Sequence, residues 1–203
     1  MARPTLIVFL RLPAVGRGKS RLARDIGRVE AWRLARAMAV GTLRRLRDPR
    51  WKLVVRVTPD RGGERASLAP GSPGRRVGSP RVEPQGPGDL GRRLTAAIRA
   101  HARGPVAVVG TDAPGVSAAH VGRAFAATRR SGAAIGPAED GGFWILALSA
   151  RRARRLALGG VRWSSPHALA DTVAAIGGPV VRLETLVDVD DLSSLRSARV
   201  RRR

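Results

Sequence analysis

Short apolar runs alternate with longer segments of helical spacing along the chain. The runs "TLIVFL" (5–10) and "LVVRV" (53–57) are rich in β-branched residues and bounded by proline, which predicts buried strands. Between them, apolar residues of segment 30–47 recur near every third or fourth position, which predicts a helix. The same criteria predict strands at 106–110, 133–136 and 143–148, and helices at 89–103, 117–130 and 164–177.

The order of these elements predicts the fold class. Repeated β–α alternation favours a mainly parallel sheet with helices on both faces, so we predict a three-layer α/β/α domain over residues 1–198 with a Rossmann-like central sheet. Segment 59–80 is rich in glycine and proline and has no apolar period, so we expect a flexible loop there. A strand-like run at 180–190 and a short helix follow, and residues 199–203 form a basic tail.

Composition excludes several function classes. The 203 residues include no cysteine, which removes disulfides, thiolate nucleophiles and cysteine-ligated metal sites. The three histidines lack the spacing of a zinc motif. No apolar run approaches the roughly 20 residues that span a bilayer, and the N-terminus lacks the long apolar region of a signal peptide. We therefore expect a cytoplasmic protein with no membrane partner.

The net charge of +23 raises the hypothesis of a basic nucleic-acid-binding module. Aromatic residues, which stack on bases in such modules, make up only 3% of the chain. The arginine excess, beside many Ala, Gly, Pro and Val residues, is also what a GC-rich coding sequence produces. We expect no nucleic-acid partner and keep this module as an alternative of another class. Only two of the 38 basic residues are lysine, which draws interest to Lys19.

A basic loop follows the first predicted strand. In "LPAVGRGKSRLA" (12–23), Gly18, Lys19 and Ser20 fit the end of a Walker phosphate-binding loop, but Pro13 stands where that motif needs its first glycine. Proline lacks the amide N–H that such a loop presents to phosphate. The sequence therefore favours a phosphate cradle of another kind over a P-loop NTPase, with a solvated run of charge as the alternative.

Carboxylates follow the later predicted strands, where ligands bind in open α/β sheets. They are Asp112, Asp140, and the group Asp188, Asp190 and Asp191. Carboxylate oxygens suit Mg²⁺, and the basic loop would take the charge of a polyphosphate. Each carboxylate also has a structural alternative. Asp112 and Asp140 are typical turn residues, and Asp190 or Asp191 is suited to cap the last helix.

Five motifs in order resemble a known family. They are "VFLRLPAVGRGKSRLA", "QGPGDLGRRL", "VVGTDAPGV", "GPAEDGGFWIL" and "LVDVDDLSSL". Together they resemble the DUF2064 proteins of the radical-SAM/selenodomain-associated transferase 1 type, which are similar to 2-phospholactate and molybdenum-cofactor guanylyltransferases. The resemblance covers about residues 5–195 and implies a glycosyltransferase-A-type fold.

The resemblance also implies site residues and a Mg²⁺ or Mn²⁺ cofactor. Two segments would bind the nucleotide: Arg11, Pro13, Gly16, Arg17, Gly18, Lys19, Ser20 and Arg21 in the first, and Gln85, Gly86, Gly88, Asp89, Leu90 and Gly91 in the second. Asp112 would bind the metal with Asp188 or Asp190, and Asp140, Gly141 and Gly142 would border the acceptor pocket or add a ligand. The catalytic residues would be Lys19, Asp112 and Asp140.

The chain departs from the family pattern at several positions. Arg11, Ser20 and Phe143 stand where the family usually has Lys, Thr and Tyr. "GTD" (110–112) offers one carboxylate where glycosyltransferases usually show Asp-x-Asp. This favours transfer of a nucleoside monophosphate from a nucleoside triphosphate to a small phosphorylated acceptor. Glycosyl transfer from a nucleotide-sugar, with Asp140 as base, is the alternative on the same fold.

Overall fold

The computed structural model describes residues 2–60 and 80–200, with side chains described as far as residue 197. The elements of these residues, in chain order, are β1 (Thr5–Arg11), α1 (Ser20–Ile26), α2 (Arg28–Arg45), β2 (Lys52–Thr58), β3 (Arg81–Pro84), α3 (Leu90–Ala100), β4 (Val106–Val109), α4 (Ala118–Ser131), β5 (Ala133–Pro137), β6 (Phe143–Leu148), α5 (Ala150–Arg155), α6 (Ala168–Ile176), β7 (Val181–Arg182) and α7 (Leu192–Val200).

The strands form one mixed sheet in the order β3-β2-β1-β4-β6-β5-β7. β1 lies parallel to β2 and β4, with Thr5 opposite both Lys52 and Val106. β6 is antiparallel to β4 and β5. Its direction follows from the short connection after β5, because residues 138–142 are enough for a hairpin and too few for a crossover. The mainly parallel sheet predicted from the sequence is confirmed.

Both faces of the sheet are covered by helices. Alternate residues of β1 point to opposite faces, so Leu6 packs in one core with residues of α2 and α4, whereas Ile7 packs in another with residues of α3 and α5. Burial on both faces explains why β1 is a continuous apolar run rather than an alternating one. The predicted three-layer α/β/α fold is confirmed, and its parallel strands bring the loops after β1 and β4 to one edge of the sheet.

Three elements were missing from the sequence-based prediction. The residues of α1 were interpreted as the end of the basic loop and the stretch after it. The residues of β3 and α5 were given no secondary structure. Each is four to seven residues long. A window that short contains too few apolar positions to show a period. α1 buries only Leu22 and α5 only Ala153.

Two predicted elements are shorter than expected. The helix predicted at 164–177 begins at Ala168, because Ser164 has a left-handed backbone (φ 56°) and the chain turns before the helix starts. The strand-like run at 180–190 pairs with the sheet only at Val181–Arg182. In its later part the described residues show one isolated parallel bridge to the sheet edge, between Ala138 and Leu186.

Two further expectations concern the ends of the described ranges. The loop predicted at 59–80 lies outside the described residues except at its two ends. Residues 199–200 of the predicted tail belong to α7, and residues 201–203 lie outside the description. No helix in the described part of the chain has the length and apolar character needed to cross a bilayer.

Candidate active site

The basic loop connects β1 to α1 and is anchored at its start. The amide N–H of Arg17 donates to the carbonyl of Ala14 (3.1 Å) and closes a tight turn. The indole Nε1 of Trp32, on α2, donates to the carbonyl of Pro13 (3.2 Å). The side chains of Arg11, Arg17 and Arg21 are exposed on or beside this loop, as the predicted phosphate-binding role requires.

Lys19 ends the loop and has an unusual backbone. Its φ of 48° and ψ of 39° place it in the left-handed region, which costs a non-glycine residue of order 1 kcal/mol. The preceding Gly18 also has a positive φ (75°), where glycine is free of this penalty. The double turn carries the Lys19 side chain away from solvent, so only 11% of it is exposed.

The Lys19 ammonium lies among carboxylates from two distant parts of the chain. Its Nζ is 2.7 Å from Oδ1 of Asp112 and 2.7 Å from Oδ1 of Asp190, and it also donates to the carbonyl of Val189. The backbone supports this meeting, because the N–H of Val189 donates to the carbonyl of Asp112 (2.9 Å). Residues 19, 112 and 190 are therefore brought together as the sequence predicted for the carboxyl edge of the sheet.

Asp188 completes a group that we call the aspartate cluster: Asp112, Asp188 and Asp190. Each offers one carboxylate oxygen, and these oxygens all lie within 4.8 Å of one another. Val187 and Val189 are buried whereas Asp188 and Asp190 are only partly buried, so the two aspartate side chains share the less buried side of this segment. Hard oxygen donors converging in this way fit Mg²⁺ or Mn²⁺, so these are the residues that would hold the predicted metal.

The charges of the cluster shift two pKa values. Burial raises the pKa of Asp188 to about 7, and repulsion from Asp112, Asp190 and Asp140 adds to the rise while Lys19 opposes it. Burial alone would lower the pKa of Lys19, but the carboxylates of Asp112 and Asp190 outweigh it, and the pKa is raised above its ordinary value. Lys19 is therefore a permanent cation in a site with surplus negative charge.

Gln85, in the second predicted nucleotide segment, is buried and fully hydrogen-bonded. Its Nε2 donates to the carbonyls of Leu10 and Arg56 (3.2 Å each), and its Oε1 accepts from Nη1 of Arg93 (3.0 Å). These bonds join the ends of β1 and β2 to α3. The side chain thus has a clear structural task, and its contact with a base stays a prediction.

The remaining residues of that segment shape the start of α3. Asp89 caps the helix, because its carboxylate accepts from the N–H of Arg92 (2.8 Å). A Cβ on Gly91 would collide with the carbonyl oxygen of Leu158, so only glycine allows this close approach. Gly86 and Gly88 lie in the segment before the helix and Leu90 is its first residue, and the nucleotide contacts of the whole group stay predictions.

Asp140 lies in the turn between β5 and β6. Its Oδ1 accepts from the N–H of Gly142 (2.9 Å), so its structural alternative as a turn residue is confirmed. A Cβ on Gly141 would lie 2.7 Å from Cα of Pro166, and the Gly141 carbonyl accepts from the N–H of Leu169 (3.0 Å). The charge of Asp140 contributes to raising the pKa of Asp188. The predicted role of Asp140 at the pocket of the acceptor substrate stays a prediction.

Asp191 has a different task from its neighbour Asp190. Its Oδ1 accepts from the N–H of Ser194 (2.8 Å), the geometry of a helix N-cap at the start of α7. The capping alternative is therefore correct for Asp191, whereas the side chain of Asp190 contacts Lys19.

With this geometry established, comparisons with known proteins identify the family. The model of DUF2064, described as "Uncharacterized protein conserved in bacteria", matches residues 42–165. This chain belongs to the DUF2064 family. The predicted family is thus confirmed, although the match does not include the basic loop or Asp190. No functionally curated protein matches the sequence.

Solved structures show the fold that this DUF2064 protein shares. A Desulfovibrio desulfuricans protein named as a candidate nucleotide-diphospho-sugar transferase is 24% identical, with a TM-score of 0.81 over 96% of this chain and 85% of that one. The 2-C-methyl-D-erythritol 4-phosphate cytidylyltransferase of Thermus thermophilus is 20% identical (TM-score 0.53, 98% of both chains). Rv0371C of Mycobacterium tuberculosis, solved in complex with manganese, is 16% identical (TM-score 0.52, 97% and 98%).

The structure adds residues that sequence reasoning missed. A cavity of about 400 Å³ lies between the basic loop and α2, and Arg24 and Arg28 line it together with Arg17 and Lys19. Asp60 accepts from the N–H groups of Gln85 and Gly86 (3.1 Å each) and so holds the second segment in place. Arg24 and Arg28 could not be distinguished by sequence from the many other arginines of the chain. Asp60 lies in the glycine- and proline-rich stretch that was predicted as a loop, but its position shortly after a predicted strand could have indicated a role at the sheet edge.

Proposed function

We propose that this DUF2064 protein is a divalent-metal-dependent nucleotidyltransferase. It transfers a nucleoside monophosphate from a nucleoside triphosphate to a small phosphorylated acceptor. The observation that carries the proposal is the contact of Lys19, from an arginine-rich loop, with Asp112 and Asp190 of the aspartate cluster. A basic loop beside clustered carboxylates is complementary to a ligand that combines polyphosphate with a divalent cation.

The chemistry needs positioning and charge rather than a covalent nucleophile. An oxygen of the acceptor phosphate attacks the α-phosphorus, a new P–O bond forms, and the bond to the leaving pyrophosphate breaks. Arg17, and Lys19 once it has left its carboxylates, would bind the pyrophosphate oxygens, where charge accumulates; both residues line the cavity beside the basic loop. Asp112, Asp188 and Asp190 would hold the metal, which supplies neutralisation of phosphate charge when bound.

Glycosyl transfer from a nucleotide-sugar is the second candidate. It is supported by the name of the Desulfovibrio protein and by Asp140, whose negative charge contributes to the raised pKa of Asp188. In that reaction Asp140 would act as base toward an acceptor hydroxyl. The shared fold hosts both chemistries, so the donor that gives a product separates them.

A nucleotide screen tests the proposal. We expect the melting temperature to rise with a nucleoside triphosphate only when Mg²⁺ or Mn²⁺ is present, because a bound ligand stabilises the folded state by mass action. A larger rise with nucleotide-sugars, and no product from triphosphates, supports glycosyl transfer. Binding of RNA or DNA with a steep salt dependence and no response to nucleotides contradicts both and supports the nucleic-acid-binding alternative.

A further inference from the structure

The Lys19 ammonium has no hydrogen atom left for a phosphate. An ammonium has three N–H donors, and here the acceptors are also three: Asp112 Oδ1, Asp190 Oδ1 and the Val189 carbonyl. The side chain is almost fully enclosed, with 11% of it exposed. In this arrangement Lys19 binds the carboxylates that a metal would use.

We propose that Lys19 is a resident cation that closes the aspartate cluster to a free divalent ion, and that a polyphosphate opens the cluster by binding the ammonium. The site then accepts metal and polyphosphate together, as a complex, in preference to the metal alone. This inference rests on the proposed function, because it names the ligand form that the same site takes.

Competition for the same oxygens is the physical reason. A Mg²⁺ or Mn²⁺ ion binds carboxylate oxygen at about 2.0–2.2 Å, so an ion bound to both Asp112 and Asp190 would lie within a few ångströms of the ammonium if Lys19 stayed in place. Two cations at that distance repel each other strongly in a site of reduced dielectric constant. Lys19 must therefore leave before the metal binds to both carboxylates.

The phosphate oxygens of the ligand compensate Lys19 for the contacts that it gives up. An ammonium–phosphate hydrogen bond is charge-assisted, as are the contacts to Asp112 and Asp190 that it replaces. Lys19 lines the cavity of about 400 Å³ beside the loop, so phosphate oxygens bound in this cavity would be within reach of the Lys19 ammonium. Because binding free energies are reciprocal, the metal must strengthen polyphosphate binding by the same factor as polyphosphate strengthens metal binding.

The test uses Lys19→Met and a matched control, Lys52→Met. Both remove one lysine charge and keep the length of the side chain, but Lys52 is the exposed first residue of β2, at the other end of the strands. The aspartates remain solvated without Lys19, since the side chains of Asp112 and Asp190 are 50% and 46% exposed. Lys19→Gln serves as a second variant, and thermal melting checks that each protein is folded.

Binding of free Mn²⁺ is measured by the loss of its electron paramagnetic resonance signal, with no nucleotide present. We expect Lys19→Met to bind Mn²⁺ at least about tenfold more tightly than the parent, because a contacting cation has been removed. Lys52→Met should bind it as the parent does. Equal or weaker Mn²⁺ binding by both Lys19 variants overturns the inference.

The second arm uses the preformed complex of Mn²⁺ with inorganic triphosphate, measured by calorimetry. Here the gain should disappear: Lys19→Met should bind the complex no more tightly than the parent, since the variant lacks the ammonium–phosphate contact that offsets the carboxylate contacts Lys19 gives up. Tighter binding of the complex by the same factor as free Mn²⁺ overturns the inference. Failure of the proposed function appears differently, as the absence of any nucleotide response in parent and variants alike.

Discussion

Two charged clusters of this protein differ in where their balancing charge comes from. The aspartate cluster sets three carboxylates against one cation, Lys19. A second group, which we call the Glu83 cluster, sets the carboxylate of Glu83 against three groups where β2, β3 and the end of α3 meet. Its contacts are Arg56 Nη2 (2.7 Å), Arg81 Nε (2.7 Å) and His101 Nε2 (3.2 Å).

We interpret the difference as that between a structural ion pair and the proposed binding site. In the Glu83 cluster, the buried charges of Glu83 and Arg56 balance each other, with 12% and 14% of their side chains exposed, while Arg81 is largely solvated. In the aspartate cluster negative charge remains in surplus, and repulsion from Asp112, Asp190 and Asp140 adds to the rise in the pKa of Asp188 that burial causes. A surplus that the chain does not neutralise favours a ligand of opposite sign. The first cluster should govern stability and the second should govern binding.

The largest effect is expected for Glu83→Ala. It leaves Arg56 buried without its carboxylate and should lower the free energy of unfolding by about 3–5 kcal/mol. Urea denaturation measures it, with Glu30→Ala as the control, since the Glu30–Arg33 pair is exposed on α2 and should contribute less than about 1 kcal/mol. Binding of metal–nucleotide should be unchanged. Equal destabilisation by the two variants would contradict a structural role for the Glu83 cluster.

Asp188→Asn should change the pH dependence of stability. The ordinary pKa of Asp188 is 3.8 and its folded pKa is about 7, so the folded protein holds a proton that the unfolded chain has lost. The stability from this group is complete below pH 4 and is lost as the pH rises through about 7. Unfolding at pH 4 to 8 with a chelator present should show the parent losing about 3 kcal/mol more than the variant. Parallel profiles would show that Asp188 ionises normally.

Asp112→Ala should separate binding from stability within the aspartate cluster. We expect metal-dependent nucleotide binding to weaken by about 100-fold, because one metal ligand and one partner of Lys19 are lost. The free energy of unfolding should change by less than about 1 kcal/mol, since half of the side chain is exposed. Calorimetric titration and urea denaturation give the two values. Unimpaired binding would reduce Asp112 to a turn residue.

The smallest effect is expected for Trp32→Phe. It removes the hydrogen bond from the indole to the carbonyl of Pro13 and keeps an aromatic ring on α2. The unfolding free energy should fall by about 0.5–1.5 kcal/mol, and the affinity for triphosphate should fall a few-fold because the loop of Lys19 is less well positioned. Thermal melts with and without ligand measure both. No change in affinity would show that Lys19 is positioned by the carboxylates alone.

The parts of the fold that could be predicted from the sequence are those with a long apolar run or a long periodic pattern. β1 is a continuous apolar run, α2 has apolar positions near a period of 3.6 residues, and both elements were predicted. α1 and β3 are short and charged, and tertiary contacts rather than local pattern determine them. The antiparallel direction of β6 agrees with the hairpin turn that Asp140 and Gly141 favour between the strands predicted at 133–136 and 143–148.

The site was predictable as a neighbourhood but not as a set of contacts. Lys19 and Asp112 follow parallel strands, so their positions at the same edge of the sheet could be predicted without knowing the direction of either side chain. Which aspartate of the last segment contacts Lys19 depends on side-chain direction, and Asp190 and Asp191 proved to face different partners. The side-chain amide of Gln85 is buried with hydrogen bonds to Leu10, Arg56 and Arg93, and these contacts between separate parts of the chain cannot be read from the sequence.

The hydrogen bond between Val189 and Asp112 has a consequence for biosynthesis. Six of the seven described strands precede residue 149, so most of the sheet can pair while the chain is still being made. Lys19 meets Asp190 only after a further stretch of translation, because 171 residues separate them. A nascent or truncated chain lacking residues 186–190 would have most of the sheet without its cation site. On the proposed function, competence to bind the ligand would thus be acquired last, after most of the sheet.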